Sequence, residues 1–206
     1  MERVDEAPGV ATGYQEPDVD WHDLSEETLR RIVNDDEEVA GLFVSGVDAF
    51  ADGQIDAQWA AAVGSAVGDI RRLRKLEIRH FSRWDEEDQW NIDWGIDDFA
   101  LNQLNDQLNF DFLPGLARNR SIEHLAMVEC HFLPNSFEII LPFFMHNHNL
   151  RCIEVHGCDL SENFPSFLLD LSTCATNQLE RVHLYDNNLG GIQVTRITKP
   201  WLSIAN

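Results

Sequence analysis

Basic side chains are scarce: 15 Lys and Arg stand against 36 Asp and Glu, for a formal net charge of -21. A field that negative repels phosphate backbones and anionic lipid, so the expected partner is neither nucleic acid nor membrane. A basic protein suits it better, and the chain is expected to be a monomer. Long apolar runs are also missing, since nothing approaches the roughly 18 apolar residues of a membrane span. The first twenty residues, MERVDEAPGVATGYQEPDVD, are acidic and carry no apolar core of a secretory signal. Cysteines number four: Cys130, Cys152, Cys158 and Cys174. They are too few for a disulfide framework and read as reduced thiols, in the cytoplasm or, alternatively, the nucleus. No glycine-rich phosphate loop, G-x-S-x-G elbow, EF-hand loop or HExxH motif occurs, which argues against an enzyme.

What is present is self-similarity. IEHLAMVECHF from Ile122, LRCIEVHGCDL from Leu150 and LERVHLYDNNL from Leu179 align without gaps, with starts 28 and 29 residues apart. Apolar residues fill positions one, four, six and eleven of each. Position nine holds Cys130, Cys158 and Asn187. Two weaker copies lie upstream. One keeps Leu73, Leu76 and Ile78 but has Phe81 at position nine and Arg83 at eleven; the other keeps Val39, Leu42 and Val44, with Val47 at nine.

Helical stretches alternate with these segments. They are expected over 57–72 (alanine-rich), over 136–147 through Phe137, Ile140, Leu141 and Phe144, and around Phe164, Phe167, Leu168 and Leu171. An apolar residue nine or ten positions ahead of each start recurs at Leu113, Leu141 and Leu169. Neither a strand nor a helix in so short a unit can bury its apolar face alone, so the units must stack.

The eleven-residue pattern resembles the leucine-rich-repeat family, and the 28–29-residue period resembles its ribonuclease-inhibitor class. The resemblance is secure from Ile122 to Leu189. It implies an α/β solenoid, or horseshoe, with a parallel β-sheet on the concave face and helices on the convex face. It also implies protein–protein recognition through the concave strands, without catalysis. The alternative is a regulatory subunit of an enzyme system, of the GTPase-activating or ubiquitin-ligase-adaptor kind. Arg83 and Arg118 are available as activating arginines, but nothing marks either out. A hydrolase centred on Cys152 is a third reading.

Residues 1–22 read as a disordered acidic extension and 23–206 as the repeat domain, with a helix from a Ser25 N-cap to Val33 covering its open end. Lys199-Pro200 and the missing last helix suggest either a short cap or further repeats. The acidic insert at about 84–98 carries Trp84, Trp90 and Trp94. It reads as a loop followed by a helix from Asp97 or Asp98, with Trp90 and Trp94 as candidate anchors for a partner.

Strand periodicity assigns faces. If positions four and six point inward, then three, five and seven point to the opposite face. That face carries Lys75, His124, Cys152 and Arg181 at position three, Glu77, Glu154 and His183 at five, and Arg79, His156 and Tyr185 at seven. These are the candidate partner-binding residues. His124, Cys152, His156 and His183 could also converge on zinc or form a Cys–His nucleophile, but no ligand spacing or flanking motif supports that. The sequence therefore assigns no metal, cofactor or catalytic residue. The ninth-position cysteines read as structural.

Overall fold

The computed structural model describes residues 20–23, 25–34, 39–46, 57–81, 106–133, 136–158, 160, 179–187 and 196–198. In chain order these form β1 (Trp21–Asp23), α1 (Glu26–Val33), β2 (Gly41–Ser45), α2 (Ala57–Asp69) and β3 (Lys75–Phe81). A π-helical segment (Gln107–Phe112) then runs into α3 (Leu113–Leu116). β4 (His124–Cys130), α4 (Ser136–His146), β5 (Cys152–His156), β6 (Arg181–Tyr185) and β7 (Arg196–Thr198) complete the order. The architecture is mixed α/β.

One sheet contains all seven strands in sequence order. β1 to β6 run parallel and β7 is antiparallel to β6. The register follows the eleven-residue alignment. Leu42, Leu76, Leu125, Ile153 and Val182 form one lateral row, and Val44, Ile78, Met127, Val155 and Leu184 form the next. Every member of both rows is at most 1% exposed. Burial of these apolar side chains holds the strands in register, because a one-residue slip would turn both rows out of the core.

The strand ends share one device. Glu129, Gly157 and Asp186 occupy position eight, and all three take positive φ, at 52, 62 and 50°. The left-handed residue directly follows β5 and β6 and is the penultimate residue of β4. Position nine then bonds across neighbouring turns. Asn187 Nδ2 donates to the Val155 carbonyl at 2.8 Å, and its Oδ1 accepts from the Cys158 amide at 2.9 Å. The Cys158 sulfur accepts from the Cys130 amide at 3.4 Å, and the Cys130 thiol lies 3.5 Å from the Ile78 carbonyl. Burial, with a lesser contribution from Cys158, pushes the Cys130 thiol well up, so it stays protonated and unreactive.

A second ladder sits three residues before the repeat starts. Asn119 Nδ2 donates to the Val67 and Ile70 carbonyls at 2.6 and 3.1 Å, while its Oδ1 accepts from the Ser121 and Ile122 amides. Asn147 likewise donates to the Ile122 carbonyl at 2.9 Å. Both asparagines are buried, so these bonds replace the water lost to backbone groups at the helix-to-strand turn.

The helices pack along the inner rows. α1 begins at a Ser25 cap that accepts from the Thr28 amide, and buries Ile32. α2 meets the next helical segment at Gly64, Gly68 and Gly115. A Cβ on Gly64 would lie 2.5 Å from the Phe112 carbonyl oxygen, and one on Gly115 would overlap the Gly64 backbone. Only glycine permits that approach. α4 buries Phe137, Ile140 and Phe144 as its periodicity predicts, but Phe143 rather than the expected Leu141, which is only half-buried.

Two expectations change. Trp21 and His22 belong to β1 rather than to a disordered extension, because they pair with Gly41 and Leu42 on an otherwise open edge of β2. α2 stops at Asp69, three residues short of the expected end. On the far side β7 pairs with the edge of β6, with Thr198, Ile197 and Arg196 opposite Arg181, Val182 and His183. The insert at 84–98, the helix start at Asp97 or Asp98 and the helix around Phe164 to Leu171 lie outside the described residues.

Candidate recognition face and its His–Cys–Glu cluster

The strand alternation that buries positions four and six sends positions three, five and seven to the other side of the sheet. Register places Lys75, His124, Cys152 and Arg181 side by side. Glu77, Ala126, Glu154 and His183 form the adjoining row, and Arg79, Val128, His156 and Tyr185 the third. Ten of the twelve candidate residues thus share one face. Trp90 and Trp94 fall outside the described residues.

The face is not the uniformly open surface that alternation alone implies. Lys75 and His124 are each 7% exposed and Cys152 is 1% exposed. Strands about 4.8 Å apart leave little room between rows. The short Cys152 thiol is flanked laterally by the larger His124 and Arg181, with Glu154 on its own strand 3.9 Å from the sulfur. Accessible side chains are mainly Arg79 and His156 at position seven and Glu154 at position five, whereas Ala126 and Ser45 are buried and the Glu77 and His183 side chains keep only 16% and 12% exposure. Arg79 and His156 keep 41% and 45% of their side chains exposed, and Glu154 keeps 33%.

Electrostatics organises positions five and seven. The Arg79 guanidinium pairs with Glu77 and lies 5.3 Å from the centroid of the Phe43 ring, a cation–π geometry. His156 Nε2 approaches Asp186 at 3.3 Å. At the centre Glu154 Oε1 stands 3.5 Å from His124 Nε2 and 3.2 Å from His183 Nδ1. Hydrogen bonds from His124 and then His183 hold the Glu154 carboxyl well below the usual carboxylate range, against the opposing effect of burial. Since an ionised carboxylate only accepts, each imidazole turns an N–H toward it.

Sequence reasoning named every member of this centre but placed no ligand set there, because the residues come from three strands and only register unites them. The ligand atoms of His124, Cys152 and Glu154 all lie within 4.8 Å of one another. His156, weighed with them from the sequence, instead faces Asp186 at the rim.

Other candidates resolve differently. Burial of Cys152 denies a substrate the access that a thiol nucleophile needs. Arg118 lies in the turn after α3, on the helical side, with its guanidinium 3.4 Å from Asp69 and 3.0 Å from Ser65 Oγ. Arg83 lies outside the described residues. A charge ladder at position two went unread: Arg74 bonds Glu123 at 2.7 and 3.0 Å, and Arg151 bonds Glu180 at 3.2 Å. Its alternation of sign, Arg-Glu-Arg-Glu at 74, 123, 151 and 180, was visible in the sequence.

Among the described residues, no helix is long and apolar enough to cross a membrane. No protein-family model matches the chain, and no curated protein resembles it at significance.

Proposed function

We propose that this chain is a leucine-rich-repeat-type solenoid that works as a non-catalytic recognition scaffold, binding a protein partner through the outward face of its strands. The observation that carries this reading is the in-register presentation of positions five and seven across β2 to β6. Parallel strands fixed by a common core make those side chains a rigid array, which lowers the ordering cost of binding. Arg79 over the Phe43 ring, with the half-exposed His156 two strands along the same row and the partly exposed Glu154 on that strand, supplies the mix of guanidinium, aromatic and imidazole groups that suits a recognition surface. Acidic character favours a basic partner surface and speeds its encounter.

The test is capture by the intact chain compared with an Arg79→Ala/His156→Ala double variant. Both side chains are substantially exposed, so circular dichroism and melting should change little. At least a tenfold loss of affinity for the captured partner is expected. Full retention of binding by the folded variant contradicts recognition through this face.

A further inference from the structure

We propose that His124 Nε2, Cys152 Sγ and Glu154 Oε1 form a zinc-binding site built across β4 and β5. The proposal rests on strand register and side-chain geometry, and stands or falls separately from the recognition reading. The carboxylate oxygen lies 3.5 Å from the imidazole nitrogen and 3.9 Å from the sulfur, with all three donors inside 4.8 Å. Zinc bonds of about 2.0 Å to nitrogen or oxygen and 2.3 Å to sulfur give tetrahedral edges of about 3.3–3.7 Å. Two of the separations are therefore near the required edge, and the widest limit exceeds it by only about 1 Å.

Donor chemistry selects the ion. A thiolate and an imidazole are poor ligands for magnesium or calcium, whereas zinc takes S, N and O together. Charge agrees: one thiolate and one carboxylate neutralise a divalent cation, so the loaded centre is neutral where Cys152 and His124 are buried. Loading releases the Cys152 thiol proton to solvent and shifts the His124 ring proton from Nε2, where it faces Glu154, to Nδ1, which frees Nε2 to ligate. His183 Nδ1, 3.2 Å from Glu154 Oε1, is placed to orient the ligating carboxylate from outside the donor set. The partly exposed edge at Glu154 gives the ion a way in, and three protein donors leave the fourth position for water or a group on a bound partner.

The experiment is titration of the reduced full-length chain with cobalt(II), followed by displacement with zinc. One equivalent of cobalt should produce a thiolate-to-metal charge-transfer band that zinc abolishes stoichiometrically. Cys152→Ser should lose the band, Glu154→Gln should bind cobalt about tenfold or more weakly, and His146→Ala, exposed at the end of α4, should keep wild-type cobalt binding. Zinc should also raise the wild-type melting temperature, reversibly with chelator, which keeps the proposal testable if Cys152→Ser fails to fold. Absence of the band at stoichiometric cobalt overturns the proposal. So does persistence of the band in folded Cys152→Ser, which would place the thiolate at another cysteine, or a melting temperature indifferent to zinc.

Discussion

The two sides of the same strands obey different rules. On the inner side positions four and six repeat one kind of residue: Leu125, Ile153 and Val182 in one row, Met127, Val155 and Leu184 in the other, all at most 1% exposed. On the outer side positions three, five and seven change at every strand, and exposure there ranges from 1% at Cys152 to 45% at the His156 side chain. The inner side sets the register and tolerates only apolar bulk. The outer side inherits that register and is free to carry chemistry, which is why the His124–Cys152–Glu154 group can exist without any motif along the chain.

That contrast can be broken from the inside. Leu125→Ala removes a fully buried side chain between Leu76 and Ile153. It should cost about 3 kcal/mol, or roughly 10 °C in Tm, by thermal unfolding. Asn119→Ala attacks the helix-to-strand turn behind the same strand. It leaves the Val67, Ile70, Ser121 and Ile122 backbone groups without their side-chain partner, for a loss of about 2 kcal/mol. Glu129→Gly acts where the inner and outer rows meet the left-handed turn. Glycine relieves a φ of 52° and should raise stability by about 1 kcal/mol. His156→Ala touches only the outer rim and an exposed ion pair, and should shift stability by less than about 0.5 kcal/mol. A larger loss from His156→Ala than from Leu125→Ala would invert the comparison.

Legibility in the sequence follows the same division. The inner rows were readable because hydrophobic burial leaves a periodic trace, and the ninth-position Cys130, Cys158 and Asn187 because one geometric role recurs at one spacing. β1 was not readable: Trp-His-Asp at 21–23 is too short to show alternation, and its pairing is supplied by the β2 edge. The Asn119 and Asn147 ladder escaped because a polar residue in a turn looks like any loop asparagine until the carbonyl it caps is known. Burial of Lys75, His124 and Cys152 escaped because alternation tells which side of a sheet a residue takes, and not how its lateral neighbours cover it. Gly64, Gly68 and Gly115 gave no sign of their close helix contact, which depends on the two helices meeting.

The central physical claim is lateral stacking of the three eleven-residue segments in the observed register, which pairs Val128 with His156 and sets Tyr185 one strand further on. Cysteines placed at 128 and 156 in a Cys174→Ser background should couple rapidly through a bifunctional thiol reagent with a span of about 5 Å, the spacing of adjacent strands. Cysteines at 128 and 185, two strands apart, should couple far more slowly. Equal coupling of the two pairs, or none between 128 and 156 in a folded protein, would contradict the stacking.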